Sequence, residues 1–506
     1  MALVTFMYMN SRNSIFEDSR KLSILLAVIS LVLGILGIYH HEMWRDETEA
    51  WMIARDSNTL LELRNHMTYQ GHPMLWHLGL WIITRFTHNP FYMQIYHVLI
   101  MMSVIYLFTR YSTFPTWIKL LFPFGYYTLF EYSIISRNYS IALLLLIVFC
   151  IFIQKKKYIS SAIVLGLVSN TNAFALIAST GLAFAIYAWP VIHSRFSANA
   201  LRLWWKPALI YTIFTLFSAI NMIPPPDCFT YTKKFDNPHT LYEMILSFNK
   251  GVWSTIAIPR IYIMERFWNS SLFYDFGSIS ALGIAFLFIN LKYLIRDRGM
   301  QIGWILSMIG IALFDHFIYP FSSSRHQGIF LMIWLMFVWL STPQSGFVIH
   351  NKMTKAMLVI IFVCQLVGGV FSYIMDLKYT FSEAKETAAF IEKNNLQDEL
   401  LAGYFDYSTS PVGAYLDRRI YYPERSGYGT FMVWNTAKKW TLHINTIEEL
   451  LSNELKKTGK KSLIYISVEN DKPFKKLDAQ ILKSAGVTLV GDEHFYVYRL
   501  SLKEPF

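Results

Sequence analysis

The stretch His41-Glu42-Met43-Trp44-Arg45-Asp46-Glu47-Thr48-Glu49-Ala50-Trp51 takes its meaning from what stands before it. Residues 22–39 form an apolar run behind Arg20 and Lys21, with no small-residue cleavage site, which predicts a retained membrane span rather than a signal peptide. Basic residues collect on the cytoplasmic side of a membrane, so the N-terminus is expected inside and the acidic stretch outside. On a helix, Glu42, Asp46 and Glu49 would share one face, with Glu47 about 100° away. A solvated helix cap is the plain reading of such a cluster. At the lip of a membrane domain, beside Trp44 and Trp51, burial would instead raise a carboxylate's pKa and make it a better base.

Composition extends this reading to the whole chain. Of its 506 residues 54% are hydrophobic, 17% aromatic and 16% charged, whereas soluble domains carry about 25% charged residues. A disordered chain and a string of soluble domains are both excluded. Charge is also uneven, 35 of the 79 charged side chains following Leu377. The expected fold is an all-α polytopic membrane domain over residues 1–376, followed by a small α/β domain over 377–506. Cys150, Cys228 and Cys364 lie too far apart to suggest a disulfide framework or a zinc site. The net charge of +11 comes from Lys and Arg at the ends of apolar segments, which signals topology rather than nucleic-acid binding.

Further apolar runs lie near 74–86, 91–109, 114–131, 134–153, 158–173, 174–190, 207–223, 272–295, 300–320, 328–342 and 356–375, giving 11–12 spans. Basic clusters at 155–157, at Arg195, Arg202 and Lys206, at Arg296 and Arg298, and at Lys352 and Lys355 mark inside loops. Parity then requires one early run not to cross, and 74–86, about 13 residues against the roughly 20 needed, is the shortest. The outer segments become 40–73, 133–138, 224–271, 321–327 and everything after Asp376, so the C-terminal domain is expected outside the cell or inner membrane. Within it the pattern predicts helices over 383–394, 447–457 and 474–484, and strands over 400–404, 462–468, 487–490 and 495–500. No Gly-rich phosphate loop opens these helices.

Two arginines stand at the wrong end of their spans for the positive-inside rule: Arg137 in Ser136-Arg137-Asn138-Tyr139 and Arg325 in Ser324-Arg325-His326-Gln327. A bound phosphate would explain them, because guanidinium offers a bidentate fork that stays charged near lipid; snorkelling to outer headgroups is the plain alternative. Gly71-His72-Pro73 marks another return into apolar sequence, where His72 could equally be an interfacial histidine. Tyr231, Trp253 and Trp268 are read as interfacial belt aromatics rather than sugar-stacking residues.

The acidic pair after the first span, the His-Pro helix start, the Arg-x-Tyr at a mid-chain span, the late outer Arg and the outer C-terminal domain together resemble the GT-C superfamily of integral-membrane glycosyltransferases. Within it the chain is similar to protein O-mannosyltransferases, lipid A aminoarabinose transferases and lipopolysaccharide-core glycosyltransferases, although mannosyltransferases usually carry a second Pro where this chain has Met74. The resemblance covers roughly residues 20–340. It implies transfer of a sugar from a polyprenyl-phosphate donor to a lipid, glycan or protein acceptor at the outer face, with inversion. It assigns Asp46 as catalytic base with Glu47 as partner, Arg137 and Arg325 to the donor phosphate, and His72, Tyr139 and His326 to substrate contacts. A divalent metal stays open, with Asp46 and Glu47 as its ligands, and no other cofactor is implied. A lipid or glycan transporter or flippase, and a glycan polymerase or ligase using a lipid-linked donor, are the competing functions.

Overall fold

The computed structural model describes the chain apart from residues 1–18, 230–248, 250–251, 253–254, 257, 273–279, 320–323, 344–346, 348, 350, 471–473 and 504–506. Tyr231 and Trp253 therefore lie outside the described residues; Trp268 is buried against Trp44 and Phe381. Among the described residues six helical segments are long and apolar enough to cross a membrane: Ser19–His40, Phe91–Tyr111, Ala173–His193, Ala198–Asn221, Arg298–Phe317 and Lys352–Lys378. This is a membrane protein by length and composition of its helices. The outward faces are apolar, as lipid contact requires: Ile24, Val28, Val32, Ile35 and Leu36 form a stripe on the first helix, and Leu209, Ile213, Leu216 and Ile220 one on Ala198–Asn221.

Inside the bundle, small residues let helices approach, since lipid chains leave van der Waals packing as the main attraction between them. A Cβ on Gly181 would stand 2.1 Å from the carbonyl oxygen of Gly303, so Ala173–Ala183 and Arg298–Phe317 meet backbone to backbone. Contacts also sort the helix ends. Arg110 Nη1 bonds Ser19 Oγ at 2.9 Å, Lys155 sits over the Tyr111 ring, and Trp189 packs on Gly299, gathering the basic ends together. At the opposite end His41 meets Asp376 and Arg64 meets Asn221.

Two apolar runs are not single spans. Leu75–Thr84 has ten residues, about 15 Å of helix against the ~30 Å of a bilayer core, and packs on the helix Arg45–Arg55. The run expected over 114–131 is broken into Thr116–Leu121, a 3₁₀ turn at Phe122–Phe124 and a π-helical turn at Tyr126–Glu131, with Pro123 and Gly125 at the break. It leads into the loop that carries Arg137.

The C-terminal unit is α/β, with β1 (Leu400–Tyr404), β2 (Ile420–Tyr422), β3 (Gly427–Gly429), β4 (Ser462–Ser467), β5 (Leu477–Lys483) and β6 (Tyr496–Leu502) in the order β3-β2-β1-β4-β6-β5. β1 runs parallel to β2 and β4, and the remaining pairs are antiparallel. The helices Ala384–Lys393 and Ile444–Thr458 lie where the pattern predicted them. The helix expected over 474–484 is instead the edge strand β5. Phe474, Leu477 and Ile481 have a helical spacing, but the segment pairs along one edge with β6, and Ile481 stays exposed. The expected strand over 487–490 is irregular chain, and the helix Asp406–Leu416, with Pro411 inside it, carried no periodic signal. The unit docks on the end of the bundle that carries the acidic stretch: Met43 N donates to the Tyr415 hydroxyl at 2.9 Å, and Arg45 pairs with Asp492 at 2.9 Å.

Candidate functional site

The acidic stretch is helical from Arg45 to Arg55, starting two residues after Met43, so Glu42 falls outside the helix and off the face it was expected to share. Asp46 and Glu49, one turn apart, line a cavity of about 590 Å³ at the junction of the bundle and the C-terminal unit. Asp46 Oδ2 lies 2.7 Å from Arg137 Nη1 and 2.8 Å from Arg325 Nη1. His72 and His326 line the same cavity, so the structure brings Asp46, Arg137, Arg325, His72 and His326 together.

Glu47 and Tyr139 do not join them. Glu47 is fully buried on the other side of its helix, where Oε2 lies 3.0 Å from His41 Nε2 and Oε1 accepts from Ser136 N at 2.6 Å. It also accepts from Trp44 N at 3.3 Å, the acidic half of a capping box. His41 Nδ1 reaches Asp376 Oδ1 at 2.9 Å. The chain Asp376–His41–Glu47–Ser136 thus ties together the ends of the first and last spans, the acidic helix and the loop bearing Arg137. Burial alone would lower the His41 pKa, but the Asp376 and Glu47 carboxylates on either side raise it to about 10. Glu47, expected as the partner of Asp46, thus stands apart from the cavity that Asp46 lines. Tyr139 stands behind the cavity wall, stacked on Tyr132 with ring centres 5.2 Å apart and edge-on to His326.

Electrostatics separate the two carboxylates of the cavity. Burial would raise the Asp46 pKa, but Arg325, Arg137 and Arg45 outweigh it and hold the group well below the usual carboxylate range, the reverse of the desolvated base expected from sequence. Glu49 is raised to about 8 by burial, with the Gln70 amide donating to Oε1 at 2.9 Å as a partial offset. One turn of helix therefore carries one fixed anion and one group able to exchange a proton near neutral pH. His72 is lowered to about 4 by burial and by Arg137, and its Nδ1 has no hydrogen-bond partner among the described residues. It follows Gly71, whose φ of 63° turns the chain back toward the bundle.

The arginines are held from behind. Arg137 N donates to His97 Nε2 at 3.3 Å, and His97 Nδ1 faces Ser133 O at 3.1 Å, which fixes one neutral tautomer. The Arg325 guanidinium lies 5.1 Å from the Trp44 ring and 6.0 Å from the Trp268 ring.

Sequence reasoning missed the roof. Tyr407, Met432 and Trp434 of the C-terminal unit line the cavity with Phe229, which stacks on Trp440 at 4.1 Å. Tyr407 also lies under Arg45, its ring centre 4.6 Å from the guanidinium carbon. The crowded run Trp434-Asn435-Thr436-Ala437-Lys438-Lys439-Trp440 was the signal available. No group of three or more His, Cys, Asp or Glu able to hold a metal gathers among the described residues, and Asp46 and Glu47 point to opposite sides of their helix, so they do not fit as a shared ligand pair.

No protein-family model matches the chain, and no curated protein matches it either.

Proposed function

We propose that the protein is a multi-pass membrane glycosyltransferase that moves a sugar from a polyprenyl-phosphate donor to an acceptor hydroxyl on the outer side of a cell or inner membrane. The observation that carries this reading is the single carboxylate oxygen of Asp46 pinched between two guanidinium groups on a roofed cavity at the end of the helical bundle. In this reading the apolar runs other than 74–86, six of them helices long and apolar enough to cross among the described residues and 116–131 a broken one, carry a cytoplasmic N-terminus to an extracytoplasmic C-terminal unit.

The chemistry follows from the charges. A donor phosphate entering between Arg137 and Arg325 takes over part of their interaction with Asp46, and a weakened ion pair lets the Asp46 pKa rise. The acceptor oxygen then bonds the anomeric carbon as the anomeric carbon–oxygen bond to phosphate breaks. The lipid phosphate leaves with the electron pair, held by both arginines, and the acceptor proton passes to Asp46. One displacement with no protein nucleophile inverts the anomeric centre. Arginines aimed at a developing phosphate charge in a water-poor cavity are worth more than in water.

A transporter would place its charges near mid-membrane on broken helices; here the paired charges sit at the bundle end, under a roof. Purified protein given a polyprenyl-phosphate sugar should release the lipid phosphate in step with a glycosylated product. Movement of intact donor between leaflets with no release would favour a flippase instead.

A further inference from the structure

A second cavity, about 940 Å³, opens on the seam between the outer helices and the C-terminal unit, near the top of the ~300–1,000 Å³ range of small-molecule sites. One wall comes from residues 55–69 with Arg85 and His88, the other from residues 417–433. Asp417 joins the walls, its carboxylate lying 2.8 Å from both Arg55 Nη1 and His88 Nδ1. Asp56 adds a second link, pairing with Arg55 Nε at 2.7 Å and accepting from the Thr430 hydroxyl.

These links consume the negative charge and leave positive charge over. Five arginines line the cleft against three carboxylates, and the third, Glu62, already accepts from Asn58 N at 2.6 Å. Arg425 donates to the Phe431 carbonyl at 2.8 Å, with Asp406 farther off at 3.7 Å. Among the described residues the Arg418 side chain pairs with Asp398 alone, whose side chain is 85% exposed, at 3.3 Å. Arg419 is exposed and makes no hydrogen bond or ion pair among the described residues. Tyr69 and Tyr428 stand beside these cations, and Tyr69 and Met432 line the Asp46 cavity as well, so the two spaces share part of a wall.

We propose that this seam cleft binds an acidic saccharide, a sugar chain bearing carboxylate or phosphate groups, with Arg418 and Arg419 on its anionic groups and Tyr69 and Tyr428 against its rings. Guanidinium forks match planar carboxylates and phosphates, and aromatic faces match the apolar faces of sugar rings. Its position across a shared wall from the Asp46 cavity suits this saccharide to the acceptor role, which rests on the transferase reading; the binding itself does not.

The test is equilibrium binding to the full-length protein in lipid nanodiscs, with trigalacturonic acid as the acidic probe and maltotriose as the neutral one. Trigalacturonic acid should bind and maltotriose should not. Arg419→Glu, on an exposed side chain, should weaken trigalacturonic acid at least tenfold, while Arg419→Lys, which keeps the charge and loses the fork, should fall between that variant and the parent. Binding of both probes alike, or equal affinity in the parent and Arg419→Glu, would overturn the proposal. If the acidic probe fails to bind while lipid phosphate is still released from the donor, the cleft assignment falls and the transferase reading stands. Binding without any release would do the reverse.

Discussion

Asp46 and Arg325 approach to 2.8 Å although the first belongs to the helix after the first span and the second to the start of the helix Ser324–Ser341. Arg137 closes on the same oxygen at 2.7 Å. Three segments distant in sequence thus share one point of charge at the end of the bundle, and two cations around one anion leave a net positive site for a phosphate.

That surplus predicts how the arginines respond to substitution. Arg325→Lys keeps the charge and loses the planar fork, so affinity for a polyprenyl-phosphate sugar should fall, and Arg325→Ala should fall further. Donor binding by titration checks the order. Equal affinity in all three proteins would put the phosphate elsewhere, and Arg137 should follow the same order.

Glu49 predicts a pH signature. Its folded pKa, raised to about 8 by burial, lies above the ordinary carboxylate value of 4.5. The folded state therefore holds a proton that the unfolded state has given up, and stability attributable to this group declines as pH rises from about 4.5 to about 8. Glu49→Gln should remove that part of the slope, gaining on the parent in melting temperature across this window and keeping the gain above it. A difference independent of pH would contradict the buried, protonated assignment.

His41 runs the opposite way. Its folded pKa of about 10 exceeds the ordinary 6.5, so its contribution is fully present below 6.5 and is lost as pH rises through about 10. His41→Ala leaves two buried carboxylates without their shared cation and should cost about 3–5 kcal/mol. Thermal unfolding of both proteins should show the gap at pH 6 and its narrowing above pH 10. Loss of turnover with unchanged stability would instead place His41 in the chemistry.

The topology has its own probe at Lys460, exposed just before β4. Lys460→Cys, in a background without Cys150, Cys228 and Cys364, should react with an impermeant thiol reagent in intact cells lacking an outer barrier. Labelling only after lysis would place the C-terminal unit in the cytoplasm and remove the topological support for an outer site.

How much of this was legible in the sequence depended on the kind of signal. Apolar runs marked the bundle because burial in lipid needs long uncharged stretches, and the misplaced Arg137 and Arg325 marked the cavity because membrane charge is costly enough to need a reason. Asp46 and Glu47 could not be told apart because chain neighbours on a helix point about 100° apart, and only the fold shows that Asp46 is the one that lines the cavity. The depressed Asp46 pKa was hidden for the same reason: its three arginines come together only in the fold. Tyr407 and Trp434 reach the cavity through docking of the C-terminal unit, which no local periodicity encodes.

The most direct measurement is turnover of a polyprenyl-phosphate sugar by Asp46→Asn, which removes the charge and keeps the shape. Removing a positioned acid–base group lowers rate by about 10²–10⁴. The variant should insert and fold, bind donor at both arginines, and release lipid phosphate at least about 10²-fold more slowly than the parent. Release at the parental rate would show that Asp46 takes no proton and serves only to hold Arg137 and Arg325 in place.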